Sequence, residues 1–90
     1  MLAARAIRAV LVAGLEAGGI WQVNRVDIRD RFLAGELDLK FPELDMDSLA
    51  KMELCIAIEV GTGVSLAPEE LDRHDSLGAL VAEIERRHRA

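Results

Sequence analysis

The sequence predicts an all-α fold of three main helices and one short one. Three observations carry this. Apolar residues recur at helical spacing in several separate stretches. Ala, Leu, Ile and Val fill those positions, while the aromatics are only Trp21, Phe32 and Phe41. That composition favours closely packed helices over a sheet. Capping residues and glycines also stand at the ends of the periodic stretches. The 90 residues are expected to form one domain, 1–90, with a modest core. With Met1 at its start, the chain is expected to be a free-standing module.

The first helix is expected over 2–17. Ile7, Val10, Leu11, Gly14 and Leu15 share one face, and Gly18-Gly19 stops it. Ile20, Trp21 and Val23 should then anchor the chain onto the core. A long connection follows over 18–47, a length that calls for internal order. Asp27 can cap a short helix through Leu33, with Gly35 ending it. Glu36 to Phe41 alternates with period two, as an extended segment on the core would. Pro42 is expected to stop regular structure there.

The second main helix is expected from Ser48 to Val60, capped by Asp47 and ended at Gly61. Leu54, Cys55 and Ile58 form its core face. Leu49, Met52, Glu53 and Ile56 lie on a partly different face, which either stays open to a partner or joins the core. Gly61-Thr62-Gly63 reads as a turn and Val64-Ser65-Leu66 as extended. Pro68-Glu69-Glu70-Leu71 begins a short third helix over 68–72. Asp75 or Ser76 caps the last helix, whose face is Leu77, Leu80, Val81 and Ile84.

The net charge of −5 is unevenly spread. Residues 1–31 hold five Arg against three acids, a net +2. Residues 36–72 hold ten acids against two Lys, a net −8, and residues 73–90 four Arg against three acids, a net +1. The acidic centre surrounds Ser48. It repels nucleic acid and anionic membranes and suits a partner with a basic surface. Cys55 is the only cysteine, so no internal disulfide is possible and a reducing, cytoplasmic setting is expected. Arg5 and Arg8 precede an apolar run that could imitate a presequence. The run is short and Glu16 interrupts it, so an ordinary first helix is expected. No stretch is long enough to span a membrane.

Asp47-Ser48-Leu49 is the segment with chemical potential. It places a serine at a helix N-terminus, beside free backbone N–H groups and the positive end of the helix dipole. A phosphate ester is favoured there. A hydrolase would need a base beside Ser48, but His74 falls in a polar turn, His88 near the end, and no Gly-x-Ser-x-Gly elbow exists. Two His and one Cys lie too far apart in sequence to suggest a metal site. Glu43, Asp45 and Asp47 lack the alternating ligands of a calcium loop. No catalytic residue and no metal ligand is therefore expected.

Leu44-Asp45-Met46-Asp47-Ser48-Leu49, then Glu53-Leu54 and Ile58-Glu59, then Gly63-Val64-Ser65-Leu66 and Asp75-Ser76-Leu77, resembles the acyl carrier protein family over about residues 40–87. The resemblance implies a four-helix bundle, here with a long first loop. It implies Ser48 as the attachment point of 4′-phosphopantetheine, transferred from coenzyme A by a separate phosphopantetheinyl transferase. It implies that Asp47 and Leu49 help the transferase recognise the serine. Met52, Glu53 and Ile56 would face synthase partners, and Leu54, Cys55 and Ile58 the core and pocket. The protein itself would be a non-catalytic monomer carrying acyl groups as thioesters.

Several positions depart from that pattern. Asp45 stands where glycine is common, and Thr62 where a large apolar residue is usual. Lys51 and Val60 dilute the acidity of the second helix. The first loop exceeds that of the fatty-acid carriers by about ten residues. A specialised discrete carrier for a polyketide, an unusual lipid or another secondary metabolite is the expectation. A peptidyl carrier would show Gly-Gly-Asp/His-Ser before the helix and stays an alternative. So does a carrier-like docking module that is never modified.

Overall fold

A computed structural model describes residues 2–89. The first helix, α1, runs Ala4–Ala17 and buries Ile7, Leu11, Val12, Gly14 and Leu15. It closes as a Schellman turn: Gly19 has φ +77, its N–H donates to the Glu16 carbonyl at 3.0 Å, and the Ile20 N–H donates to the Leu15 carbonyl at 3.0 Å. Ile20 and Leu15 are both buried, which supplies the apolar contact that accompanies this motif.

The long connection contains three helical pieces. A 3₁₀ turn spans Trp21–Asn24, α2 spans Val26–Leu33 and α3 spans Phe41–Leu44. In a 3₁₀ turn residues i and i+3 share a side. Ile20 and Val23 therefore go into the core together, and Trp21 is left 62% exposed. Trp21 is not the anchor its apolar surface suggested. Asp27 is not the cap of α2 either. The helix begins one residue earlier, behind Arg25, and the Asp27 carboxylate lies in the first turn, where it accepts from the Arg25 guanidinium. Gly35 ends α2 with φ +79, and the Glu36 N–H donates to the Arg31 carbonyl at 2.9 Å.

Residues 36–41 keep their period-two pattern. Leu37, Leu39 and Phe41 are half-buried while Glu36, Asp38 and Lys40 are exposed. The segment docks on the start of the last helix, α6 (Leu77–Arg89). A single antiparallel bridge joins Lys40 to Ser76. The Leu77 N–H donates to the Leu39 carbonyl at 2.8 Å, and the Asp38 carboxylate accepts the Gly78 N–H at 2.8 Å. Pro42 starts structure rather than stopping it. It lies in the first turn of α3, where a missing N–H has no cost.

The second main helix, α4, runs Ser48–Thr62 and ends at Gly63 with φ +76, two residues beyond the expected stop. Gly61 stays helical because Thr62 closes the helix. Its hydroxyl donates to the Ile58 carbonyl at 2.6 Å and accepts the Val64 N–H at 3.1 Å. A short helix, α5, spans Pro68–Leu71. Ser76 caps α6, its hydroxyl accepting the Ala79 N–H at 3.2 Å, and Leu77, Leu80, Val81 and Ile84 are buried.

Helices α1, α4, α5 and α6 form the four-helix bundle, with one connected apolar core. The protein is all-α, as its periodicity predicts. Helix α1 packs chiefly on α4, and a seam of small residues fixes their register. A Cβ on Gly14 would lie 2.9 Å from Ala57, one on Gly18 3.1 Å from Ala50, and one on Gly61 2.6 Å from Val10. Contacts descend along α4 as they ascend along α1, so the two helices are antiparallel. Ion pairs hold α5: Lys51 on α4 meets Asp72 at 2.8 Å, and Arg87 on α6 meets Glu70 at 3.0 Å.

Candidate functional site

Ser48 is the first residue of α4 and is exposed. The preceding backbone is extended at Asp47, φ −81 and ψ 178, and this breaks the chain cleanly into the helix. The Asp47 carboxylate accepts the Ala50 N–H at 2.8 Å, and its carbonyl accepts the Lys51 N–H at 3.1 Å. Those bonds leave the Ser48 and Leu49 N–H groups without protein partners among the described residues. Both point out of the helix start, where the dipole is positive. Among the described residues no hydrogen bond joins Ser48 to either histidine or to a carboxylate. The hydroxyl is thus accessible and lacks the paired base that a hydrolase nucleophile needs.

Asp45 explains the turn before the site. It caps α3 in the left-handed region, φ 48 and ψ 50, a conformation glycine adopts without cost and aspartate tolerates better than most. Asp45 thus takes up a conformation that glycine favours.

The outward face of α4 is an apolar stripe. Leu49 is 67% exposed, Met52 50%, Ile56 54% and Val60 83%. Leu49, Met52 and Ile56 are thus outside the core. Val60 was missed there, although its spacing of four from Ile56 carries the same signal. Glu53 is half-buried. At about 100° per residue it lies between this stripe and the seam packed on α1. Leu54, Cys55 and Ile58 are buried as expected. Burial pushes the Cys55 thiol above its ordinary pKa, with the Glu70 and Glu69 carboxylates adding to the rise.

Among the described residues, Leu54, Cys55 and Ile58 are absent from the walls of three surface clefts of the bundle. An open cleft of about 720 Å³ lies instead between the long first loop and the α5–α6 connection. Asp45 and Met46 on one side of Ser48 in sequence, and Lys51 on the other, contribute to its wall.

The family profile for a phosphopantetheine attachment site matches residues 26–84. The chain belongs to that family. The matched span begins in α2, takes in the whole of the Asp47-Ser48-Leu49 segment, and ends within α6. No curated protein and no solved structure gives a significant match. Members of the family carry 4′-phosphopantetheine covalently, receive it from a phosphopantetheinyl transferase, and present cargo to synthases without catalysing the chemistry themselves.

The α4 start suits that group. It offers an exposed hydroxyl, two unpartnered N–H groups for phosphodiester oxygens, and a dipole of the favourable sign. The carboxylate of the adjacent Asp47 is turned back to the Ala50 N–H. No helix among the described residues is long and apolar enough to cross a membrane.

Proposed function

We propose that Ser48 is the attachment residue and that this protein is a discrete acyl carrier. The observation that supports it most is the exposed Ser48 hydroxyl on an Asp47-capped helix, inside the span matched to the family. In the transferase site the Ser48 oxygen attacks the pantetheine-bearing phosphorus of coenzyme A. A new P–O bond forms, the pyrophosphate P–O bond breaks, and adenosine 3′,5′-bisphosphate leaves. The hydroxyl proton passes to a base of the transferase, because Ser48 has none of its own. The Ser48 and Leu49 N–H groups and the helix dipole then stabilise the phosphodiester charge. The bound arm supplies a terminal thiol, on which an acyl group is held as a thioester.

The carrier contributes reach and recognition. Asp47 and Leu49 present Ser48 to the transferase. Leu49, Met52 and Ile56 offer apolar anchors to synthases, Glu53 borders them, and the surrounding acids favour basic rims on those partners. An acyl cargo is favoured over a peptidyl one by Asp45-Met46-Asp47 ahead of Ser48. The long first loop and the diluted acidity of α4 favour a specialised polyketide, lipid or secondary-metabolite pathway, working in the cytoplasm.

Intact mass spectrometry tests this after incubation with coenzyme A, magnesium and a broad-specificity transferase. Wild type should gain one phosphopantetheine and Ser48→Ala none. A folded wild-type protein that gains nothing from several transferases would instead support an unmodified docking module.

A further inference from the structure

Trp21 is the only tryptophan of the chain, and it is 62% exposed. So large an apolar ring is ordinarily packed for most of its surface. The backbone that carries it is nonetheless pinned. Ile20 and Val23 on either side are buried in the core, and the Gln22 side-chain amide donates to the Glu43 carbonyl at 2.8 Å. The 3₁₀ turn therefore presents the indole from a fixed mount, which lowers the ordering cost of binding through it. The turn packs on α2, whose first residue, Val26, is exposed as well.

This mount stands at the Ser48 end of the bundle. Gly18 lies against Ala50, where an added Cβ would be 3.1 Å from the Ala50 Cα. Glu43, which accepts the Gln22 bond, belongs to α3, the helix just ahead of the Ser48 turn. Along the path from Ser48 through Ala50 and Gly18 to Trp21, the end Cα atoms are at most about 20 Å apart. A specific protein interface covers about 800 Å² on each side, a patch about 30 Å across. A protein seated over Ser48 thus has the width to cover Trp21 too.

We propose that Trp21 is a contact residue for the phosphopantetheinyl transferase, its indole entering an apolar recess that also offers an acceptor to the ring N–H. The proposal rests on attachment at Ser48. A synthase meets the cargo at the far end of the arm. The transferase has no arm to work through, so its surface must come down on whatever surrounds the Ser48 oxygen. That difference assigns Trp21 to the transferase. The first loop then adds a contact outside α4 to those of Asp47 and Leu49. Trp21 takes no part in the transfer itself and acts on binding alone.

The test is the rate of modification of wild type, Trp21→Ala and Trp21→Phe by a broad-specificity transferase, with coenzyme A and magnesium saturating and the carrier varied. Trp21→Ala should raise KM for the carrier about tenfold, as loss of an interface hot spot does, with kcat little changed. Trp21→Phe should recover much of the loss. The Tm of both variants should match wild type, because the ring is exposed. In Ser48→Ala protein carrying 5-fluorotryptophan, the fluorine resonance should move when transferase is added. A KM for Trp21→Ala equal to that of wild type, or a raised KM accompanied by a lowered Tm, overturns the contact and leaves attachment at Ser48 intact. No mass gain by wild type from several transferases removes the attachment reading, and the contact with it.

Discussion

The Asp47 carboxylate holds the Ala50 N–H at 2.8 Å, and that one bond decides where the helix bearing Ser48 begins. Removing it leaves a part-buried donor unpaired at the mouth of the site. Asp47→Ala should cost about 1 kcal/mol, within the usual range for a lost N-cap. For a domain of this size that is a fall in Tm of about 4–8 °C. Asp47→Asn keeps an acceptor for Ala50 and should stay close to wild type in Tm. If transferase turnover drops in Asp47→Asn as well, the charge serves recognition and not only the cap. Thermal melts and modification rates of both variants check this.

Gly61 makes a sharper prediction. Replacing a helical glycine by alanine ordinarily gains up to about 1 kcal/mol. Here the added Cβ would sit 2.6 Å from Val10 Cγ2, on a β-branched side chain with little freedom to turn away. Gly61→Ala should therefore destabilise by about 1–3 kcal/mol, as overpacking does. Combining it with Val10→Ala should recover part of the loss. Denaturant titrations of the two single variants and the pair would show the coupling, and simple additivity would contradict the contact.

Acid sensitivity should concentrate on α6. Hydrogen bonds from Arg86 and then Arg87 lower the Glu83 carboxyl from 4.5 to about 2. The Ala67 N–H and Arg87 lower Glu70 in the same direction. A depressed folded-state pKa gives stability that is complete above the unfolded value and is lost as pH falls through the folded one. The contribution of Glu83 should thus hold above about pH 4.5 and disappear toward about pH 2. Glu83→Gln should flatten the fall of Tm with pH across that window. An unchanged slope would mean that the Arg86 and Arg87 contacts are not maintained in solution.

Cys55 is buried, and its thiol is held in the protonated form. Alkylation by iodoacetamide near neutral pH should be slow in the folded protein and fast in denaturant. In modified protein the arm's thiol should then react first, giving one rapid label, with Cys55 reacting only on unfolding. Peptide mapping of the labelled sites measures this directly. Rapid labelling of Cys55 would show that α4 and α5 separate readily.

Much of this architecture was legible because its determinants are local. The faces of α1 and α6, and the Asp47 cap, follow from spacing and side-chain chemistry within a few residues. The stripe of Leu49, Met52 and Ile56 was separable from Leu54 and Ile58 by helical geometry alone. Trp21 and Gly61 were misjudged for a common reason. An exposed tryptophan and a glycine backed by Val10 are defined by what lies opposite them, which residue type alone does not show. Pro42 breaks a helix interior by type, yet here it occupies the one turn of a helix that tolerates it.

The sequence by itself determined the main helices, the acidic surroundings and the serine at a capped helix start. These depend on periodicity, composition and neighbours in the chain. Only the tertiary structure decided how 18–47 is used. Asp38 meets Gly78 across 40 residues, Lys40 bridges to Ser76, and a cleft opens beside the site as a result. Those contacts join segments whose separate patterns say nothing of each other. Both contacts dock the loop on the start of α6, so they form only once α6 is packed in the bundle.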